Sequence, residues 1–470
     1  PPEPDVHFAY SDDNGSFARA TMRCVGAGLC RKYSGGTMCP SYKATHEEKH
    51  STRGRARILY EMLEGETITD GFRSEEVADA LDLCLSCKGC ATDCPVSVDM
   101  ATYKAEFLSK HYKRRLRPLA AYSMGLIMFW ARAASLMPGV VNALVRMPVV
   151  GSLIKRAGGL TTERSMPPFP RESFRSWFGE RATVNPHADP VVLFADTFND
   201  YLHPEVLKAC VRVLEEAGYR VEVPQGFLCC GRPLYDYGML ATAEKFWRRN
   251  LSGLRSHIHS GVPIVVAEPS CLAGFRDELP KLFPRDEDAK RLSHQAIGLE
   301  GFLAEHASEW ELPRLHRKAL VHIHCHQEAT VGQSADEEIL DRLGLDYEVL
   351  DSGCCGLAGS FGFEADHHQI SVEIAEQALL PAFREAAPET LLISDGFSCK
   401  TQVAQLSDRR PLHLAQVIAM AMDEGSRGPS GKGAPESGYP DVAAARLGRG
   451  GLVGAALVIA GVAVQIWSSR

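Results

Sequence analysis

Cysteines at 84, 87, 90 and 94, the last followed by Pro95, form the pattern C-x2-C-x2-C-x3-C-P. Three thiolates this closely spaced can hold three irons of one cubane from a single loop, and the cysteine before proline is carried off toward a second cluster. A partner motif must then return a ligand, and Cys24-x5-Cys30-x8-Cys39-Pro40 fits that need. The expected first set is Cys39, Cys84, Cys87 and Cys90, around a [4Fe–4S] cluster. The remaining set, Cys24, Cys30 and Cys94, has three thiolates, because the middle position of a regular motif falls on Ala27. Three thiolates suit a [3Fe–4S] cluster, a [4Fe–4S] cluster completed by a non-cysteine donor, or the remnant of a lost site. Zinc also takes C-x2-C pairs, but a tetrahedral site has no use for the triplet's third cysteine or for the Cys-Pro stop.

A second kind of cysteine pattern follows. Cys229-Cys230-Gly231 is succeeded by Cys271, and Cys354-Cys355-Gly356 is preceded by Cys325 and succeeded by Cys399. Adjacent cysteines rarely bond each other, because the ring is strained, yet they suit shared ligation of one metal centre. Cys325, Cys354, Cys355 and Cys399 are expected to hold a third cluster, with a zinc site or reduced thiols as the alternatives. In the earlier copy Thr197 or Asp196 stands where the leading cysteine belongs, so that copy reads as a structural remnant or a weaker site. His322, His324 and His326 alternate, which on a strand would place three imidazoles on one face for metal binding or proton transfer. Cys210 lies on an apolar helical stripe and reads as a small buried hydrophobe.

The elements that would position these groups differ along the chain. Residues 1–18 are polar and turn-rich and read as an arm. Residues 19–180 are cysteine-dense and helical, with helices expected at 75–84 and 99–112. An apolar extension at 119–156, broken by Pro138 and Pro148, suits a pair of buried or interfacial helices. From 181 to 424, short β-rich runs (191–195, 219–223, 263–267, 319–323, 346–350 and 391–394) alternate with helical patterns such as 204–217 and 367–387. That alternation predicts α/β layers with a largely parallel sheet. It also repeats, as two units at about 190–318 and 319–424. The expected fold class is α+β multidomain: an all-helical two-cluster ferredoxin domain followed by a duplicated α/β Cys-Cys-Gly domain. Residues 425–449 read as a flexible linker and 450–470 as a membrane-anchor helix.

Hydrophobic residues at 45% and charged residues at 23% are ordinary for a soluble globular chain, and a net charge of −8 argues against a nucleic-acid partner. Fifteen cysteines without a visible secretory leader point to metal ligation rather than disulfides. The start at Pro1-Pro2, without methionine, reads as a piece of something longer.

The segments CVGAGLC (24–30), GGTMCPSYKATHEEKHSTRGRAR (35–57), CLSCKGCATDCPVSVDMATYKAEF (84–107), AEPSC (267–271), HCHQ (324–327), GCCGLAGSFGFE (353–364) and DGFSC (395–399) carry a resemblance. Over about residues 8 to 422 the chain resembles the C-terminal iron–sulfur half of fused FAD/iron–sulfur D-2-hydroxyacid dehydrogenases, of the D-lactate and D-2-hydroxyglutarate type. More distantly it is similar to the iron–sulfur subunits of glycolate oxidase and of anaerobic glycerol-3-phosphate dehydrogenase, and to the Cys-Cys-Gly subunits of heterodisulfide reductases. The resemblance implies that an FAD domain or partner oxidises a D-2-hydroxy acid and passes electrons to these clusters. Residues 8–20 look like the junction after that flavin domain, and Ala27 matches the fused type. No Gly-rich turn between a strand and a helix appears in this chain, so flavin is expected on the missing domain or a partner.

Three functions compete: an electron conduit to a quinone or other carrier, a heterodisulfide-reductase-like site at the Cys-Cys-Gly cluster, and a zinc-stabilised binding protein. Gly450–Trp467 carries no charge and approaches the roughly 20 residues of a spanning helix. Basic residues Lys110, Lys113, Arg114, Arg115 and Arg117 precede the apolar extension. Both features predict membrane contact and a cytoplasmic protein held at the inner face of the cell membrane.

Overall fold

Serine and aspartate placed one residue ahead of helical periodicity set the boundaries in the first third of the chain. In the computed structural model, which describes residues 3–429 and 433–439, Ser51 Oγ accepts from Gly54 N at 2.9 Å to open the helix Thr52–Glu64, and Gly65 at φ 73° closes it. Ser74 caps Glu75–Asp82 and Asp99 caps Met100–His111 in the same way, each cap contributing about 1 kcal/mol. These helices pack over a core that includes Leu59, Val77, Leu81, Tyr103 and Phe107 together with Cys30, Cys39, Cys84 and Cys90. Every element between Ser11 and Gly179 is helical.

The polar arm is bound to the body. His7 and Phe8 donate backbone N–H groups to the buried Glu106 carboxylate, at 3.0 and 3.3 Å for its Oε2, and Phe8 is buried. Ala9 N donates to Lys281 O at 3.0 Å. The apolar extension forms four short helices, Leu119–Ser123, Ile127–Ala134, Pro138–Arg146 and Pro148–Ala157, where two were expected. Pro138 and Pro148 each open a new helix at its first position, where a missing N–H costs nothing.

Beyond residue 189 the chain alternates strands and helices. Strands β1 (Pro190–Phe194), β2 (Arg220–Glu222), β3 (Ile264–Val266) and β4 (Ala296–Ile297) form one sheet in the order β2-β1-β3-β4. Strands β5 (Lys318–Val321), β6 (Asp346–Val349) and β7 (Leu391–Ile393) form another in the order β6-β5-β7. All pairings are parallel. The alternating texture is therefore divided between two sheets, each with its first strand flanked by the next two. Val191 to Phe194 are all fully buried, as a parallel strand covered on both faces requires. One apolar core runs between the units, joining Val191, Leu193 and Val265 to Val321, Ile393 and Ile418.

The six β-rich runs all appear as strands, the first shifted by one residue and the other five shortened by one or two; β4 is an addition too short to be legible. The helical pattern at 367–387 divides into His368–Ala375 and Leu379–Glu385. Pro381 explains the division, since its ring excludes the carbonyl of residue 377 from a continuous helix. Within the segment expected to be a linker, Glu436 is buried and accepts from Arg409 Nε at 2.7 Å. The apolar stretch Gly450–Trp467 lies outside the described residues.

Candidate metal centres

Parallel strands deliver their following loops to one edge of a sheet, and that edge is where the cysteines converge. In the second unit Cys325 opens the helix Cys325–Thr330 after β5, and Cys354 and Cys355 lie in the loop after β6. Cys399 is the third residue of the helix Phe397–Leu406 after β7. All four are buried. Cys354 is flanked by Cys325 and Cys355, whose sulfurs raise its pKa, and Cys355 in turn reaches Cys399. His322 Nε2 lies 3.2 Å from Cys399 Sγ, and its Nδ1 is 2.6 Å from Ser352 Oγ.

The histidine expectation needs correction. β5 ends at Val321, so His322, His324 and His326 do not share a strand face. His324 caps the following helix, its Nδ1 accepting from His326 N at 3.1 Å. Burial lowers its pKa to about 4, so the ring is neutral at physiological pH. His326 turns toward the helical region, with Nε2 2.8 Å from Ser86 O and 2.9 Å from Arg232 Nη2. His324, Cys325 and His326 still bring their ligand atoms within 4.8 Å of one another.

In the helical region Cys39, Cys84, Cys87 and Cys90 line one small cavity, so two stretches of chain about 45 residues apart meet as their spacing requires. Arg55 Nη1 donates to Cys39 Sγ at 3.3 Å while its Nε donates to Ala80 O at 2.7 Å. Ser86 and Lys88 take positive φ values of 52° and 63°, which wrap the loop around the cavity. Gly89 is sterically fixed, because a Cβ there would sit 2.5 Å from Thr37 Cγ2. Cys24, Cys30 and Cys94 pack at the edge of the same core, Cys24 and Cys94 half-buried. Arg53 N points at Cys30 Sγ from 3.4 Å.

The fit to iron–sulfur clusters rests on this donor chemistry. Burial pushes the thiols of Cys87 and Cys90 well up, with neighbouring sulfurs and carboxylates adding to the shift. Thiolates so placed are costly alone, and a cationic iron centre offsets both the desolvation and the mutual repulsion. N–H groups aimed at Cys30 and Cys39 supply hydrogen bonds of the kind that tune such centres.

The two centres adjoin. Cys87 and Cys325 fall in one apolar cluster with Leu85, Cys354 and Phe361, and the Cys325 thiolate contributes to raising the Cys87 pKa. A cavity of about 90 Å³ opens against both, lined by Cys87, Cys325, Cys354 and Cys355. Its far wall includes Phe198 and Phe397, stacked at 5.1 Å, and its polar groups include Arg232, Glu268 and His324.

Sequence reasoning missed the junction between the helical region and the first cysteine-rich unit. Lys88 is 1% exposed, with Nζ 3.1 Å from Asp99 Oδ2, 2.5 Å from Asp277 Oδ2 and 3.4 Å from Glu278 Oε1. Burial alone would lower its pKa, but the three carboxylates raise it well above the usual lysine value. A charged residue inside the cysteine triplet was the only available signal.

In the first unit Thr197 opens the helix Thr197–Tyr201 after β1, where the second unit has Cys325. Cys229, Cys230 and Cys271 are buried, and Cys230 Sγ and Cys271 Sγ are 2.7 Å apart. Cys210 is fully buried in the helix Pro204–Glu216.

Comparison with known proteins agrees with these two kinds of centre. Residues 20–98 match the 4Fe-4S dicluster domain, and residues 194–276 and 319–404 each match the cysteine-rich domain. The chain is 28% identical over 447 residues to D-2-hydroxyglutarate dehydrogenase of Pseudomonas putida, covering 85% of this chain and 43% of that protein. It is 24% identical over 417 residues to the glycolate oxidase iron-sulfur subunit of Escherichia coli, covering 85% of this chain and 94% of that one. To lactate utilization protein A of Bacillus velezensis it is 30% identical over 242 residues, 48% of this chain and 98% of that protein. The chain thus spans less than half the length of the D-2-hydroxyglutarate dehydrogenases it matches.

Proposed function

The chain belongs to the family of cysteine-rich-domain proteins that includes lactate utilization protein A, here with a 4Fe-4S dicluster domain ahead of the pair, and we propose that it is the electron-transfer portion of an FAD-dependent D-2-hydroxyacid dehydrogenase. The hydroxy acid is of the D-2-hydroxyglutarate, D-lactate or glycolate class, and its oxidation takes place on a flavin domain or subunit. Bound iron–sulfur clusters supply one-electron steps between that flavin and the final acceptor.

This chain's residues do the holding and spacing. Cys39, Cys84, Cys87 and Cys90 ligate a [4Fe–4S] cluster. Cys24, Cys30 and Cys94 hold a second, of [4Fe–4S] or [3Fe–4S] type, and Cys325, Cys354, Cys355 and Cys399 hold a third. Arg55 orients Cys39 and lowers the cost of its charge. The observation that carries the reading is the shared apolar cluster of Cys87 and Cys325, which sets the dicluster region directly against the second cysteine-rich unit.

The acceptor is a quinone or other carrier, and the cavity beside Cys325, Cys354 and Cys355 is where it is reduced. The same cavity favours a second reading, a heterodisulfide-type substrate reduced at that site, because its lining brings those sulfurs beside an apolar wall. The test is anaerobic protein mixed with its flavoprotein and each hydroxy acid in turn. The expected result is substrate-dependent bleaching of the cluster absorbance and reoxidation by a soluble quinone analogue. Iron-poor protein would end the proposal, and reoxidation only by disulfides would select the second reading.

A further inference from the structure

The helices between residues 116 and 157 present more bare apolar surface than the rest of the molecule. Of the seventeen large hydrophobic residues exposed among the described residues, eleven fall between Leu116 and Ile154. Leu116 is 87% exposed, Trp130 55%, Leu136 80%, Val149 72% and Leu153 59%. Side chains of this size stand in water singly on many surfaces, but a run of them over four consecutive short helices marks a contact face. On Pro148–Ala157, Val149 and Leu153 are separated by four residues and so project from one side.

Charge identifies what the face meets. Between Glu106 and Glu163 there are nine lysines and arginines and no acidic residue, in a chain whose net charge is −8. Lys113, Arg114, Arg146 and Arg156 are exposed. Apolar side chains interleaved with cations of one sign, with a tryptophan among them, are the composition of helices that lie in the headgroup region of a bilayer. A partner protein's surface would be expected to be met with mixed charge. No single helix among the described residues is long and apolar enough to cross a membrane, and Ile127–Ala134 and Pro138–Arg146 meet at a bend of 109°. Helices so short and so bent can lie along a surface with their apolar sides down.

We propose that residues 113–156 form an in-plane docking face for a lipid bilayer carrying anionic headgroups. Leu136, Val149 and Leu153 enter the acyl boundary, and Lys113, Arg114, Arg146 and Arg156 pair with lipid phosphates. The inference does not depend on the hydroxy acid, the flavin partner or the acceptor.

The test uses the full chain with vesicles of phosphatidylcholine mixed with phosphatidylglycerol, and with phosphatidylcholine alone. Sedimentation should show binding to the anionic vesicles that weakens with salt, and hydrogen–deuterium exchange should show new protection over 116–156. Lys113→Ser with Arg114→Ser should lower partitioning roughly thirtyfold. Leu136→Glu with Leu153→Glu should remove the protection, and because both positions are exposed the iron content and circular dichroism should not change. Binding without protection of this segment, or binding indifferent to both pairs of substitutions, would overturn the proposal. So would self-association, or a complex with the flavoprotein, that protects the same residues without lipid.

Discussion

The two cysteine-rich units order their first three strands in the same way, and three matched positions separate them. The residue capping the helix after the first strand is Asp196 in one unit and His324 in the other. The first residue of that helix is Thr197 in one and Cys325 in the other. Three residues before the last cysteine stand Glu268 and Gly396. Gly396 leaves room for the His324 ring, because a Cβ there would meet His324 Cδ2 at 2.1 Å. Glu268 instead fills the first unit, where its Oε2 accepts from Phe397 N of the second at 2.9 Å. One copy thus keeps four thiols and neutral imidazoles, and the other has two carboxyl groups, of which Glu268 ties it to its sibling. A duplicated scaffold can divide chemistry from support while its topology stays unchanged.

The sharpest way to break this contrast is to remove one sulfur from each unit. Cys355→Ser should cost the protein the iron of its third centre and its ability to reduce acceptors. Cys230→Ser should leave both intact. Iron analysis and EPR of the reduced proteins measure it, and equal iron loss in the two variants would erase the distinction. Thr197→Cys should act in the opposite direction, completing a four-thiol set in the first unit. The expected outcome is additional iron per chain after anaerobic reconstitution.

The smallest effect concerns pH. Burial, followed by the nearby Asp196 carboxylate, raises Glu268 to about 7. Unfolded glutamate titrates near ~4.3, so the native state holds a proton that the unfolded state releases. Stability from this group is therefore present below ~4.3 and is lost as pH rises through about 7, by roughly 4 kcal/mol at most. Glu268→Gln should flatten that slope, read as unfolding midpoints across the same range. An unchanged slope would show that Glu268 is not the group responsible.

Much of this was legible in local pattern. Spacing alone suggested that Cys39 lies beside Cys84, Cys87 and Cys90, and the four do line one cavity. The strands were readable from short apolar runs, and the repeat from Cys-Cys-Gly. The histidines misled because alternation suggests a strand, whereas the chain at His324 already turns into a helix cap. Lys88, Asp99, Asp277 and Glu278 were invisible as a group, since residues nearly 190 positions apart meet only through tertiary packing. The cavity wall of Phe198 and Phe397 was hidden for the same reason.

Lys88 has one further consequence. Its ammonium is shared by carboxylates from the dicluster region and from the first cysteine-rich unit, and separating those halves would break this network into smaller pairs, Lys88 with Asp99 on one side and Asp277 with Lys281 and Glu278 with Arg232 on the other. Opening at that seam is therefore costly. The buried cross-link therefore favours a fixed spacing between the dicluster region and the first cysteine-rich unit.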